Sequence, residues 1–378
     1  MKIITSEQVF KGHPDKICDQ ISDAILDECL KEDANSRVAI ETLIKNNLIV
    51  IAGEVTTNAD VNYQKVTLDV LEDIGYEDLD DFEFIIEVSK QSPDIALGVD
   101  KDGAGDQGIM YGYACSDTKE LMPLPIFLAR RIAIQMDSLT RNFKELFGRD
   151  GKCQVSVRYD ENDKPVEITN IIVSQQTKEN VDREFYTAFI INECLKKVIP
   201  QGMITSETKI LINPTGEFVK GGSYADCGLT GRKIICDTYG GVGRHGGGAF
   251  SGKDATKVDR SAAYYCRYVA KNIVASGLAS KCEVQVAYAI GVAKPTAVNV
   301  DTFGTGKIND EAIKEIVLKF FNFQPLAIKT EIISKDVSFR ELAEYGHVGR
   351  EDVDVPWERC NKAYILKAYT KQAYGKAK

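Results

Sequence analysis

The stretch from Gly240 to Arg260 reads GGVGRHGGGAFSGKDATKVDR, and seven of its first thirteen residues are glycine. Because glycine lacks a Cβ, such a loop can turn several backbone N–H groups toward an anion and let the anion approach closely. Residues 231–260 include six Arg or Lys and three Asp, although the whole chain carries a net charge of −9. A locally positive segment in an acidic protein predicts a bound polyanion.

The same stretch fits a P-loop only in part. Residues 247–253 have the required spacing, but Asp254 stands where that motif needs Ser or Thr. The strand predicted at 233–236 also ends some ten residues too early. A flexible linker is the other simple interpretation, and Phe250 and the nearby charges argue against it, because linkers are usually Ser/Gly-rich without such groups. We therefore predict an anion-binding loop that is not a P-loop.

The length, composition and charge of the chain exclude several classes of protein. With 378 residues, of which 44% are hydrophobic and 27% charged, the chain is long enough for two or three domains with real cores. Its acidic balance argues against a broad nucleic-acid surface. The N-terminal sequence MKIITSEQVFKGHPDK has no apolar signal-peptide core, and no apolar run is long enough to span a bilayer. We therefore expect a cytoplasmic protein that binds neither nucleic acid nor a membrane.

The cysteines and histidines do not predict a zinc site or a disulfide framework. Ten cysteines are scattered without a CxxC pair, and the chain has only three histidines. In a reducing cytosol some of these cysteines should behave as buried small hydrophobes. The examples that lie in apolar segments are Cys18, Cys29, Cys236 and Cys266.

The motif GHPDK at 12–16 opens a predicted helix that runs to about Leu30. Pro14 suits a first helical turn, where a missing N–H costs nothing. His13 and Asp15 would then lie beside the positive end of the helix dipole, where phosphate oxygens bind well. A capped surface helix, with Asp15 serving the dipole and His13 exposed, fits the residues equally well. The helix should bury one apolar face, which leaves three aspartates elsewhere: Asp19, Asp23 and Asp27.

Two predicted strands, at 37–44 and 48–57, are joined by a turn at Asn46-Asn47. Glu41 and Glu54 lie inside these strands, and carboxylates are seldom fully buried without a partner. We expect both side chains to point to solvent unless they mark a cation or a ligand amine.

The rest of the chain alternates strands and helices. Period-two hydrophobicity and glycine punctuation predict strands at 82–88, 153–159, 168–174, 209–212, 283–290 and 297–303. Helical periodicity predicts helices at 61–74, from the Pro123/Pro125 break to 139, and at 181–198, 260–275 and 310–321. Residues 150–152 are interpreted as a turn and the tail at 345–357 as irregular. Strands and helices recur in similar proportion in each third of the chain, which favours α+β domains whose sheets are covered on one face. The predicted domains are 1–100, 101–220 and 221–378.

Four motifs stand in order along the chain: GHPDK at 12–16, GAGDQG at 103–108, DCGLTGRK at 226–233 and GGGAFSGKDATKVDRS at 246–261. Together they closely resemble the S-adenosylmethionine synthetases, also called methionine adenosyltransferases, from Ser6 to about Trp357. Further family-like segments are ETLIKNNLIVIAGEVTT, KQSPDI, NPTGEF and YAIGVAKP. GHPDK, GAGDQG and GGGAFSGKD in this order are highly specific.

The resemblance implies three α+β domains related by pseudo-threefold symmetry, assembled as a homodimer or homotetramer with active sites shared between subunits. It implies that ATP and L-methionine are joined into S-adenosylmethionine, while the triphosphate is displaced whole and hydrolysed to pyrophosphate and phosphate. A pair of Mg²⁺ ions and K⁺ are the implied cofactors. Methionine attacks C5′ of ATP through a thioether sulfur that carries no proton, so no general base is needed. Because the leaving group is a polyanion, stabilising its charge should dominate.

The resemblance also implies residue roles on the ATP side. His13 would hydrogen-bond near O5′ of ATP as charge develops there. The implied phosphate ligands are Lys16, Lys152, Arg232, Lys233 and Lys253. The implied nucleoside contacts are Asp106, Asp150, Phe218 near adenine, and Ala249. Asp15 and Asp259 match the Mg²⁺ ligands, and Glu41 matches the K⁺ ligand.

On the methionine side the matching residues are Glu54, plausibly through the methionine ammonium group, Gln91 and Asp226. Lys257 matches a lysine between methionine and the phosphates. The residues expected to act on the reacting groups themselves are His13, Lys152, Arg232, Lys253 and Lys257.

The sequence departs from the family pattern at four places. Ala255 stands where proline or another residue is common, and Glu217 replaces a frequent basic residue before the predicted adenine contact. The segment between Gln91 and Gly103 is short for a lid over the site, so gating and product release should differ. Residues 351–355 add an acidic stretch, interpreted as a surface insertion.

Two other functions fit parts of the sequence. A triphosphate or pyrophosphate hydrolase would use the same phosphate loop, but it leaves the methionine-side residues Glu54, Gln91 and Asp226 without a role. A non-catalytic nucleotide-binding protein would bind ATP without turnover, and an intact set of catalytic residues argues against it.

Overall fold

The computed structural model describes residues 1–91, 103–333 and 337–375. In these residues eleven strands form three sheets. The strands are β1 Lys2–Val9, β2 Arg37–Lys45, β3 Leu48–Thr56, β4 Glu83–Ser89, β5 Gly108–Cys115, β6 Phe147–Tyr159, β7 Pro165–Thr177, β8 Lys209–Ile212, β9 Gly228–Leu229, β10 Lys281–Tyr288 and β11 Ala297–Asp301. Together with the helices they confirm the predicted α+β class.

The helices of the described residues are α1 Pro14–Glu32, α2 Tyr63–Ile74, α3 Leu124–Asn142, α4 Arg183–Ile190, α5 Ile234–Asp237, α6 Val258–Ala275, α7 Asp310–Phe320, α8 Pro325–Ile332, α9 Phe339–Tyr345 and α10 Ala363–Tyr374. Helix α4 continues into a π-helical turn, Ile191–Leu195, and a last turn, Lys196–Val198. The described helices do not include one that is both long and apolar enough to cross a membrane.

Each sheet packs against one long helix. The first sheet, in the order β1-β6-β7-β8, packs on α3, the middle sheet, β4-β3-β2-β9, on α1, and the third sheet, β11-β10-β5, on α6. The middle and third sheets share one large apolar core, while the first sheet has its own. This arrangement places the starts of α1 and α6, where the GHPDK and glycine-rich motifs lie, at the edges of the large core.

The sheets do not follow the chain in blocks. Strand β1 pairs with β6 across more than a hundred residues, β5 pairs with β10, and β9 pairs with β2. Every sheet therefore takes strands from two of the three ranges predicted as domains. The domain boundaries near residues 100 and 220 stay a prediction.

Two local predictions are wrong. Residues 150–152 are not a turn but part of β6, because the Asp150 carboxylate accepts a hydrogen bond from the Gly222 backbone N–H at 2.9 Å, and a Cβ on Gly151 would meet the Phe10 ring at 2.4 Å. The strand predicted at 233–236 is the helical turn α5. The prediction of an irregular tail at 345–357 is confirmed, because α9 ends at Tyr345, α10 begins only at Ala363, and the range between them holds one short 3₁₀ turn, Pro356–Glu358.

Candidate functional site

Helix α1 carries four aspartates at a spacing of four residues, so they lie along one side of the helix. Each accepts a hydrogen bond from the backbone N–H of a distant segment. The pairs are Asp15 with Leu229 at 2.9 Å, Asp19 with Gly231 at 2.8 Å, Asp23 with Gly252 at 2.8 Å, and Asp27 with Phe339 at 2.9 Å. We call these four residues the aspartate ladder. It fixes the DCGLTGRK and glycine-rich segments against α1.

The start of α1 gathers six predicted site residues, which we call the helix-end cluster: His13, Asp15, Lys152, Asp226, Arg232 and Lys233. Asp15 is only 1% exposed, and its carboxylate contacts the Lys233 ammonium at 2.6 Å and the Arg232 guanidinium at 3.6 Å. The interpretation as a capped surface helix is therefore wrong, because Asp15 is buried and ion-paired. The cluster presents cations beside a helix N-terminus, which suits phosphate oxygens.

His13 is the N-cap of α1, and its Nδ1 accepts a hydrogen bond from the Asp15 backbone N–H at 3.2 Å. Burial, together with the charge of Lys233, lowers the pKa of His13 to about 4. The ring is therefore neutral at pH 7. Because Nδ1 is an acceptor, the proton of the neutral ring lies on Nε2, which makes Nε2 a hydrogen-bond donor.

Lys16, a predicted phosphate ligand, is fully buried. Its ammonium is paired with Asp19 at 3.0 Å and with Asp237. Burial disfavours the charged form, but the two carboxylates outweigh it and raise the pKa of Lys16. Direct contact between Lys16 and a phosphate would require these ion pairs to open, and that role stays a prediction.

A second group of predicted residues surrounds a cavity of about 360 Å³, which we call the lysine pocket: Glu54, Gln91, Asp106, Lys253, Lys257 and Asp259. Lys253 pairs with Asp259 at 2.8 Å, and Lys257 pairs with Asp254 at 2.6 Å. The buried Gln91 Oε1 and Thr256 Oγ1 have no hydrogen-bond partner among the described residues. Unpaired polar atoms and solvent-accessible charges together make this pocket suited to a polar, charged ligand.

The glycine-rich segment reaches the pocket by packing closely on β2. Gly252 has φ of +79°, and a Cβ there would meet the Ile40 carbonyl oxygen at 2.0 Å. Lys253 forms an isolated bridge with Ala39. Only glycine allows this turn and this close approach, so the position of the Lys253 side chain depends on it.

Three other predicted residues, Phe218, Ala249 and Glu41, lie outside both groups, and Asp150 adjoins the helix-end cluster. Burial raises the pKa of Asp150 to about 6, and near the start of β6 its carboxyl group accepts from the Gly222 N–H and interacts with the charges of Asp226 and Lys152. Phe218 accepts a hydrogen bond from the Thr177 N–H through its carbonyl. Ala249 packs against Gly231, since a Cβ on that glycine would approach within 2.5 Å. Glu41 is exposed on the same open face of the middle sheet as Glu54, and both match the expectation that they point to solvent.

Within the described residues, no hydrogen bond or ion pair joins the helix-end cluster to the lysine pocket. In the described part of the chain, most of the predicted site residues therefore form two groups that are not directly bonded to each other. The predicted lid at 92–102 lies outside the described residues.

Sequence analysis missed the structural role of Asp19 and Asp23. Asp23 is fully buried, and its two carboxylate oxygens accept hydrogen bonds from the two terminal nitrogens of the Arg260 guanidinium group, at 2.6 and 2.9 Å. The signal was present, because four aspartates on one side of a helix repel each other unless partners neutralise them. Asp254, noted only as a departure from the P-loop, is also buried and ion-paired.

The two predicted Mg²⁺ ligands, Asp15 and Asp259, lie one in each of the two groups. The described residues contain no group of three or more His, Cys, Asp or Glu side chains that could hold a metal. Mg²⁺ often uses one or two protein carboxylates together with substrate phosphates and waters. Asp15 and Asp259 each place one carboxylate beside cations that are predicted to bind phosphate, so the residues fit Mg²⁺ that arrives with a polyphosphate.

Comparison with known proteins covers nearly the whole chain. The family models for the N-terminal, central and C-terminal domains of S-adenosylmethionine synthetase match residues 1–93, 101–218 and 220–359. An S-adenosylmethionine synthase from Desulforudis audaxviator (strain MP104C) is 51% identical over 387 aligned positions, which span 97% of this chain and 98% of that relative.

Proposed function

The chain belongs to the S-adenosylmethionine synthetase family, and we propose that it forms S-adenosylmethionine from ATP and L-methionine in a site built from two parts. The helix-end cluster holds the triphosphate and the reacting end of ATP. The lysine pocket holds methionine and the far side of the phosphates. The observation that carries this proposal is the split of the predicted residues into these two charged groups.

The cations of both groups stabilise the leaving triphosphate. Arg232 and Lys233 stand at the N-terminus of α1, and Lys253 and Lys257 lie in the pocket. Neutral His13 donates from Nε2 to O5′ as negative charge develops on that atom, without giving up its proton. Lys152 adds a further cation near His13. No group in this scheme needs to remove a proton from methionine.

The pocket also accounts for recognition of methionine. The exposed Glu54 carboxylate can accept hydrogen bonds from the methionine ammonium, and Gln91 and Lys257 lie in the same cavity. Asp226, by contrast, belongs to the helix-end cluster. Its predicted role as a methionine ligand therefore needs both groups in one site.

Metal ions complete the phosphate environment. The family uses Mg²⁺ and K⁺, and Asp15 and Asp259 would hold Mg²⁺ while Glu41 would face K⁺. When bound, Mg²⁺ supplies positive charge that neutralises the triphosphate. Asp15 and Asp259 would exchange their lysine partners for the metal.

A second copy of the chain would bring the two groups together. The open face of the middle sheet carries Glu54 next to apolar side chains, and Ile85 on β4 is 53% exposed there. Covering this face with a second copy buries those side chains and places the cluster of one chain over the pocket of the other. We therefore propose a homodimer, alone or paired into a homotetramer.

The ten cysteines are free thiols, and most are buried. This pattern supports a reducing compartment, and we place the enzyme in the cytoplasm.

The direct test is an assay of the purified protein with ATP, L-methionine, Mg²⁺ and K⁺, followed by mass detection of the sulfonium product. Omission of methionine is the control. Formation of S-adenosylmethionine is the expected result. Phosphate release that is equal with and without methionine, and no sulfonium product, would instead indicate a triphosphate hydrolase.

A further inference from the structure

Asp254 follows Lys253 in the glycine-rich segment and has no role in the reaction described above. Its side chain is buried, with 2% of the residue exposed. Oδ2 accepts hydrogen bonds from the Val38 backbone N–H at 2.7 Å and from the Lys257 ammonium at 2.6 Å, and Oδ1 accepts from the Thr256 N–H at 2.8 Å. A buried carboxylate with three donors is not free to contact a substrate.

The backbone around Asp254 is held equally firmly. Its own N–H donates to the Val38 carbonyl at 3.1 Å, and its carbonyl accepts from the Lys257 N–H at 3.1 Å. The carboxylate is therefore fixed relative to β2 at one end and to the start of α6 at the other. Lys257, which immediately precedes α6, is tied to Asp254 through both its backbone and its side chain.

The two lysines of the pocket differ in this respect. The Lys253 partner, Asp259, has a side chain that is 27% exposed, whereas the Lys257 partner, Asp254, has one that is 3% exposed. An accessible carboxylate can exchange its lysine for a bound metal or substrate. Asp254 is buried, does not line the pocket and is not a proposed metal ligand, so it keeps Lys257 in place.

We propose that Asp254 is a positioning residue that holds the Lys257 ammonium at the methionine end of the lysine pocket. This inference rests on the proposed function, because it takes Lys257 to contact the substrate. A lysine has three donors on a flexible stem. One donor goes to Asp254, which orients the other two toward the cavity and removes side-chain freedom before the substrate binds.

The test is a double-mutant cycle of wild type, Asp254→Asn, Lys257→Met and the double variant, with kcat and the KM for methionine measured for each. Each single variant should lower kcat/KM about tenfold or more, as expected for one charge-assisted hydrogen bond. The loss should come mainly from KM. The double variant should resemble Lys257→Met, because Asp254 acts through that lysine and the effects do not add. Full additivity would overturn the inference and leave Asp254 as an anchor of the loop.

A spectroscopic readout separates this inference from the proposed function. Lysines are ¹³C-methylated, and the Lys257 signal is assigned by its loss in Lys257→Met. In Asp254→Asn the signal should shift and sharpen as the side chain becomes mobile, and an unchanged signal would overturn the inference. A changed signal with an unaltered methionine KM would instead refute substrate contact by Lys257, which belongs to the proposed function.

Two further variants complete the design. Asp254→Ser keeps an acceptor for the Thr256 N–H without the charge, and it replaces the Asn variant if that protein does not fold. Asp182→Asn removes a charge from the exposed cap of α4, where the side chain accepts from the Phe185 N–H. This control should leave both the kinetics and the Lys257 signal unchanged.

Discussion

The helix-end cluster and the lysine pocket both pair acids with bases, but they differ in how deeply the carboxylates are buried. Asp15 of the cluster is 1% exposed and receives a backbone N–H as well as Lys233. In the pocket, the side chains of Lys253 and Asp259 are 24% and 27% exposed and bind each other. The carboxylate at the centre of the cluster is thus held by the protein, whereas in the pocket the carboxylate of Asp259 is open to a ligand, and cations are accessible in both groups, since the side chain of Arg232 is 49% exposed.

The aspartate ladder connects the two groups within one chain. Asp15 and Asp19 hold the segment that carries Arg232 and Lys233, and Asp23 holds Gly252 beside Lys253. A single rigid helix therefore sets the position of both groups. Asp19 and Asp23 therefore position segments only, whereas Asp15 both positions a segment and is a proposed Mg²⁺ ligand, as is the more exposed Asp259.

The largest effect is expected from Asp23→Asn, which breaks the ladder at its centre. The variant leaves the buried Arg260 guanidinium without a counter-charge, and breaking a buried pair from one side costs about 3–5 kcal/mol. Urea unfolding followed by circular dichroism measures this loss. The control Asp80→Asn, an exposed acid before β4, should stay within about 0.5 kcal/mol of wild type. Equal losses in the two proteins would contradict the role given to the ladder.

Asp15→Asn and Asp259→Asn compare the two groups directly. Each should lower turnover roughly a hundredfold, the equivalent of about 3 kcal/mol, by removing one charge contact in the reacting complex. Only Asp15→Asn should also lower the free energy of unfolding, because only that carboxylate is buried. Steady-state kinetics and urea unfolding are measured on the same samples. Near-native activity in both variants would contradict the proposal that Asp15 and Asp259 bind Mg²⁺.

Glu54→Gln and Lys253→Met separate the two chemical steps inside the pocket. Removing the Glu54 charge weakens methionine binding, so sulfonium formation should slow about tenfold while hydrolysis of added tripolyphosphate is largely retained. Lys253→Met weakens the phosphate contacts and should impair both reactions. Both rates are measured after circular dichroism confirms folding. If Glu54→Gln loses tripolyphosphate hydrolysis as fully as Lys253→Met, the division between methionine and phosphate is wrong.

The smallest effect concerns the histidine rings. Burial lowers the pKa of His13 to about 4 and lowers the pKa of His245 and His347 as well. The His13 ring should therefore stay neutral as the pH falls to 6.5, and all three rings should titrate below the ordinary histidine value, which ring-carbon NMR can follow. A ring that titrates near 6.5 would contradict this.

The same shifts fix the sign of a stability effect. Below about pH 6.5 an unfolded histidine takes up a proton that the folded one does not, so its contribution to stability is lost as pH falls, by up to about 1.4 kcal/mol per pH unit. Replacing the buried His347 by Gln should remove its share of that loss. An unchanged pH dependence in the variant would show that the folded ring takes up its proton as readily as the unfolded one.

Periodic patterns predicted most of the fold, including α1, the β2–β3 hairpin and α6. They failed where tertiary contacts decide the structure, as at 150–152, where Asp150 reaches Gly222 and Gly151 lies under Phe10. The motifs predicted which residues belong to the candidate site. They did not predict that Lys16 is buried between two acids or that the residues form two groups, because both depend on contacts between distant segments.

The central claim is that a complete site combines the helix-end cluster of one chain with the lysine pocket of another. Subunit exchange between Asp15→Asn and Lys253→Met proteins tests it, since a mixed dimer contains one site with neither substitution. Random exchange should restore about a quarter of wild-type activity, because about half of the dimers are mixed and each has one intact site of two. Asp15→Asn mixed with Lys233→Met, both in the cluster, is the control and should restore none. If Asp15→Asn and Lys253→Met form mixed dimers and remain as inactive as either variant alone, the site lies within one chain and the claim is wrong.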